Sequence, residues 1–72
     1  MRSEDLGLPL EAGEAIRLAL SLFGGNELAT KNWLNTPAIA LSGIKPVELL
    51  VSDAGRQQVV ELIWKLENGV SI

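Results

Sequence analysis

An all-α fold, a small compact bundle of four to five helices, is what this 72-residue sequence predicts. Three observations lead there. Apolar residues recur at the three- and four-residue spacing of a helix face, as in Ile16, Leu20 and Phe23 or in Val59, Ile63 and Leu66, while no stretch alternates with the period of two that marks a strand. Most prolines and glycines stand between these stretches rather than inside them, at Gly24-Gly25, Pro37, Gly43, Pro46 and Gly69. The length suffices for one core only, since a chain of this size buries roughly 60% of the surface that its unfolded form exposes.

The elements follow in order. Residues 1–9, polar at first and broken by Gly7 and Pro9, are expected to be a tail or linker, and residues 10–72 the helical domain. The first helix is expected over Pro9–Phe23, with Pro9 in its first turn and Glu11 and Glu14 at the positive end of its dipole. It carries two apolar stripes, Ala12, Ile16, Ala19, Leu20 and Phe23 on one and Ala15, Leu18 and Leu22 on the other, and only a narrow polar strip. Gly24-Gly25 stops it. Asn26 is a suitable N-cap for a second helix, Glu27–Leu34. The Asn35-Thr36-Pro37 turn ends that helix, with Thr36 as cap and Pro37 as first residue of a one-turn piece that reaches Leu41. Ser42-Gly43 closes this piece, and Pro46 opens another short helix ending near Val51. Ser52 and Asp53 are both suitable caps for a last helix, Asp53–Glu67. Glu61 and Lys65, four apart, mark its wet side, and Asn68-Gly69 is its stop signal.

Composition removes several function classes. The chain has no cysteine and no histidine, so disulfides, thiolate chemistry and the usual zinc sites are absent together. No acid stands beside a nucleophile in a recognisable motif, and neither a catalytic residue nor a cofactor site nor a metal site is expected. The net charge is −3, and the six basic residues Arg2, Arg17, Lys31, Lys45, Arg56 and Lys65 are spread along the chain, whereas phosphate-binding surfaces gather their cations. Direct nucleic-acid binding is therefore not expected. Nothing at the N-terminus resembles a signal peptide and no apolar run is long enough to span a membrane, so a cytoplasmic location with no membrane partner is the expectation. Apolar residues make up 47% of the chain, more than so small a body can hide, and the surplus points to an interface.

Five short motifs appear in one order: Trp33-Leu34-x-Thr36-Pro37, Ala40-Leu41-x-Gly43, Pro46-x-x-Leu49-Leu50, Gly55-Arg56-x-x-Val59 and Leu66-Glu67-x-Gly69-Val70. In this the chain resembles the toxin-binding domain of the Xre/MbcA/ParS-like antitoxins, over roughly residues 12–72. The resemblance implies a non-enzymatic antitoxin of a type II toxin–antitoxin pair, a compact helical domain that neutralises a cognate RES-domain toxin, an enzyme that consumes or modifies NAD. It implies further that the last helix and the segment after it lie at the toxin's active-site cleft, which puts Trp64, Glu67, Asn68, Gly69, Val70, Ser71 and Ile72 in contact with the toxin. Two departures stand out. Members of this family commonly carry an N-terminal helix-turn-helix domain, for which these residues leave no room. The family more often has Asn, Pro and Gly where this chain has Ala38, Ile39 and Ser42.

Several residues carry rival readings. Trp33, at the end of a helix against the Thr36-Pro37 turn, is expected to fill the core. Trp64 lies off the Val59–Ile63–Leu66 face, so core and interface both stay open for it. Arg56 sits in the first turn of the last helix, where the dipole disfavours a cation, and needs Asp53 or the carbonyl end of a neighbouring helix as partner. The wide apolar faces of the first and last helices lead to an expected homo-oligomer. They also support the alternative of a helical homo-oligomerisation module with no toxin partner.

Overall fold

Pro9 has an extended backbone (φ −61°, ψ 157°), so the helical path opens only after it. In the computed structural model, which describes residues 2–69, Leu10–Ala12 forms a 3-10 turn and helix α1 runs Gly13–Leu22. The helix expected over Pro9–Phe23 is thus shorter and divided. The amide of Ala12 reaches back three residues to the Pro9 carbonyl at 3.0 Å, which winds the first turn too tightly for an α-helix. At the other end, the Gly24 and Gly25 amides donate to the carbonyls of Ser21 (3.1 Å) and Leu20 (2.9 Å) and close α1 where the double glycine predicts.

Helix α2, Glu27–Leu34, begins at Asn26, whose Oδ1 accepts the Ala29 amide at 3.0 Å. A 3-10 turn, Ile39–Leu41, is followed by a single helical turn, α3 (Pro46–Leu49), and by helix α4 (Asp53–Glu67). Ser52 caps α4 by accepting the Gly55 amide at 3.1 Å. Among the described residues no strand forms, and the only β-type pairing is a bridge between Ala38 and Ile44. The fold is all-α, as the helical spacing predicts.

That bridge corrects the reading of the central segment. The Ala38 amide donates to the Ile44 carbonyl at 3.2 Å and holds Ala38 extended (φ −110°, ψ 128°), so no helix starts at Pro37. Thr36 does not cap forwards either. Its hydroxyl turns back to the Asn32 carbonyl at 2.6 Å and satisfies an acceptor at the end of α2. Between the bridged residues the chain reverses through Ser42 (φ 60°) and Gly43 (φ 78°), both left-handed, and the Gly43 amide donates to the Ala38 carbonyl at 2.8 Å. The result is a tight loop that drives Leu41 into the core. The helix opened by Pro46 ends at Leu49 rather than at Val51.

The first residues are a second correction. Ser3–Leu6, expected within a tail, forms a 3-10 turn held by the Asp5 carboxylate, which accepts the Arg2 amide at 3.1 Å. Ser3 is buried, and Leu6 and Leu8 pack against the core, so the stretch closes one end of the body.

The core joins Ala12, Ala15, Ile16 and Ala19 with Leu34, Leu41 and Leu50, and with Val59, Leu62 and Ile63. Helices α1 and α4 form the principal pair, and α4 also rests on α3. Alanines on α1 let the two axes approach closely, while full burial of Ile16 and Ile63 contributes about 1.5–3 kcal/mol each. The second apolar stripe of α1 is largely used inside the molecule: Ala15 is buried, and Leu18 and Leu22 pack against the core.

Candidate protein-binding site

The junction between α3 and α4 sets the direction of the last helix. Gly55, in the first turn of α4, is buried against the end of α3. A Cβ there would lie 2.8 Å from the carbonyl carbon and 2.9 Å from the Cα of Leu49, closer than real Cβ atoms come. Only glycine lets the two backbones meet. Arg56, next in sequence, donates from Nη1 to the Leu50 carbonyl at 3.0 Å and from Nη2 to the Asp53 carboxylate. Both partners expected for this cation are present. Its side chain is only 13% exposed, so the guanidinium acts as a bracket between the two helices.

The helix held by that bracket, α4, is 15 residues long, about 22 Å. With about 100° of rotation per residue, Gly55, Val59, Leu62 and Ile63 face the core. Trp64 falls on the opposite side and is 59% exposed. This placement removes the core reading of Trp64: it is a surface residue. Glu67, Asn68 and Gly69 are also exposed, beyond the last turn that the body covers. Leu66 shows where cover ends, for it lies on the core-facing side yet is 39% exposed. Asn68 returns Nδ2 to the Trp64 carbonyl at 2.8 Å and closes the helix. Trp64, Glu67, Asn68 and Gly69 are therefore gathered at one accessible end of α4. Val70, Ser71 and Ile72, the remaining expected contact residues, lie outside the described residues.

The other motif residues form the scaffold. Leu34, Leu41, Pro46, Leu50 and Gly55 are buried, and Trp33 and Leu49 are half-buried. The Trp33 ring packs on Phe23 with centroids 6.1 Å apart at 54°, and the indole lies against the core as expected. Thr36, Pro37 and Gly43 stand exposed at turns, where they shape backbone. Thr30 was not legible as a core residue. It is fully buried because its hydroxyl donates to the Asn26 carbonyl at 2.8 Å, a bond that leaves its methyl free to pack.

Hollows mark the surface of the described residues, among them one of about 480 Å³ lined by Asp5, Leu6, Glu27, Leu28 and Lys31. A second, of about 420 Å³, lies by the N-terminal turn and is lined by Arg2, Leu10, Gly13, Arg17 and Leu20. Another, of about 150 Å³, separates the central loop from α4 and is lined by Leu41, Gln58, Glu61 and Lys65. Among the described residues no cluster of acidic side chains could hold a metal ion, and no helix is long and apolar enough to cross a membrane.

The profile of the antitoxin Xre/MbcA/ParS C-terminal toxin-binding domain matches residues 18–69, from the middle of α1 to two residues past the end of α4. The chain belongs to this antitoxin family. Antitoxin Xre of Yersinia enterocolitica serotype O:8 / biotype 1B (strain NCTC 13174 / 8081) is 38% identical to it over 52 residues, which cover 72% of this chain and 35% of that protein. The chain thus spans about a third of the length of that curated relative. No solved structure matches it. Within the matched span of this toxin-binding domain, the Gly55-Arg56 pair has a physical reason: glycine lets α4 lie on α3, and arginine fastens it there.

Proposed function

We propose that this domain is the neutralising part of a type II toxin–antitoxin pair. In this reading it binds a cognate RES-domain toxin at its active-site cleft through the far end of α4 and the residues that follow, and so withholds NAD from the enzyme. Membership of the antitoxin family supports the class of function. The observation that carries the site is Trp64, a large apolar side chain turned away from the core on a helix bracketed at its other end. Tryptophans in such positions are enriched among the residues that dominate binding energy. The domain supplies no catalytic group, holds no cofactor, and acts in the cytoplasm without contacting DNA or membrane itself. The toxin encoded alongside this chain, purified and assayed for NAD consumption, tests the proposal. Stoichiometric addition of the chain should abolish the activity, and an undiminished rate would refute it.

A second reading, self-association, is favoured by further exposed apolar residues on other parts of the surface, Leu10, Leu28, Ile39 and Val51. Light scattering at micromolar concentration should then give a mass above the 7.7 kDa of one chain. A single-chain mass throughout would leave only the toxin-binding reading.

A further inference from the structure

Trp64 does not stand alone on its side of α4. Glu61 and Glu67 lie three residues before and three after it, about 60° to either side around the helix, and both are exposed. The Glu61 side chain is 66% accessible, and its one described partner, Lys65, is 3.8 Å away, a loose and solvent-screened contact that a better cation could replace. The same segment is the C-terminal end of a 15-residue helix, where the backbone carbonyls add partial negative charge. An indole is therefore presented between two carboxylates at the negative pole of a helix.

We infer that the surface receiving this face is an apolar slot for one indole ring, flanked on both sides by lysine or arginine side chains of the toxin. The inference rests on the toxin-binding reading and gives it a chemical form. An apolar slot alone would accept Trp64 but would leave two carboxylates facing desolvation without partners, which is costly. Cations at the rim remove that cost, fix the rotation of α4 about its axis, and speed encounter at low salt. A second copy of this chain fits the face poorly, because copies related by symmetry would set Glu61 and Glu67 against carboxylates of the same kind.

The experiment is surface-immobilised binding kinetics with the purified toxin encoded alongside this chain, at low and at high salt. It uses the unaltered chain, Trp64→Ala, and Glu61→Gln with Glu67→Gln, each checked for unchanged helicity by circular dichroism. Trp64→Ala should weaken binding about 30-fold or more, chiefly through faster dissociation. The paired glutamine variant should associate roughly 10-fold more slowly at low salt, and the difference should shrink at high salt. If the unaltered chain binds but the glutamines leave the association rate and its salt dependence unchanged, the flanking cations are refuted while the toxin-binding reading stands. Full affinity in Trp64→Ala would refute the slot. Absence of any binding by the unaltered chain overturns both.

Discussion

Arg56 donates from Nη1 to the backbone carbonyl of Leu50 at 3.0 Å, across the junction of α3 and α4. Leu50 has no solvent exposure, so in the folded chain its carbonyl takes the guanidinium in place of water. The same guanidinium meets Asp53, which turns a first-turn cation, disfavoured by the helix dipole, into a fastening.

Arg56→Ala should therefore destabilise the fold by about 1–3 kcal/mol, read from urea denaturation. Arg56→Lys should recover only part of this, because an ammonium lacks the planar fork that serves two acceptors. An unchanged midpoint for the alanine variant would show that the bracket adds nothing.

Gly55 and Gly43 should fail in different ways. Gly55→Ala places a Cβ against the Leu49 backbone and should cost about 2–3 kcal/mol, although alanine is the better helix former by about 1 kcal/mol. A Cβ at position 43 meets no neighbouring atom, so Gly43→Val should lose about 1 kcal/mol or more chiefly through backbone strain at φ 78°. Asparagine at position 43 should restore most of that loss, whereas no side chain should rescue position 55. Thermal melting of the three variants separates the two mechanisms.

Removing Val70, Ser71 and Ile72 should leave the melting temperature nearly unchanged, since they follow the left-handed Gly69 stop (φ 67°) beyond the end of α4. It should sharply weaken inhibition of the toxin's NAD consumption, if these residues reach the cleft. Equal titration curves for the full and shortened chains would assign inhibition to the helical surface alone.

Duplex DNA should not bind the isolated chain at physiological salt. Its cations are dispersed, and Arg56 is already committed to Leu50 and Asp53. A salt-sensitive gel shift at sub-micromolar protein, tighter than the roughly 10⁻⁴–10⁻⁶ M of non-specific binders, would contradict this.

Much of the fold was legible because its signals are local. Asn26 and Ser52 cap α2 and α4 by side-chain bonds three residues long, and both helices have the bounds that the sequence predicts. The central loop was misread because what decides it, the Ala38–Ile44 pairing, is a backbone bond between residues with no distinctive side chain. The N-terminal turn was missed for a related reason: its burial depends on the core it covers. As for the site, periodicity placed Trp64 off the main apolar face but could not decide between a second neighbour and solvent. Glu61 was legible only as half of an intrahelical pair, because its position beside an exposed indole depends on which way α4 turns.

The two tryptophans occupy unlike surroundings, and this gives the molecule two independent optical reporters. Trp33, half-covered and tilted against the Phe23 ring, should emit toward the blue and shift red when the body unfolds. Trp64, largely in water, should emit toward the red from the outset and move blue when a partner encloses it. With no tyrosine in the sequence to compete for excitation, Trp64→Phe leaves a probe of folding, and Trp33→Phe a probe of capture. One unlabelled sample can thus distinguish loss of structure from arrival of a partner by the direction in which its emission moves.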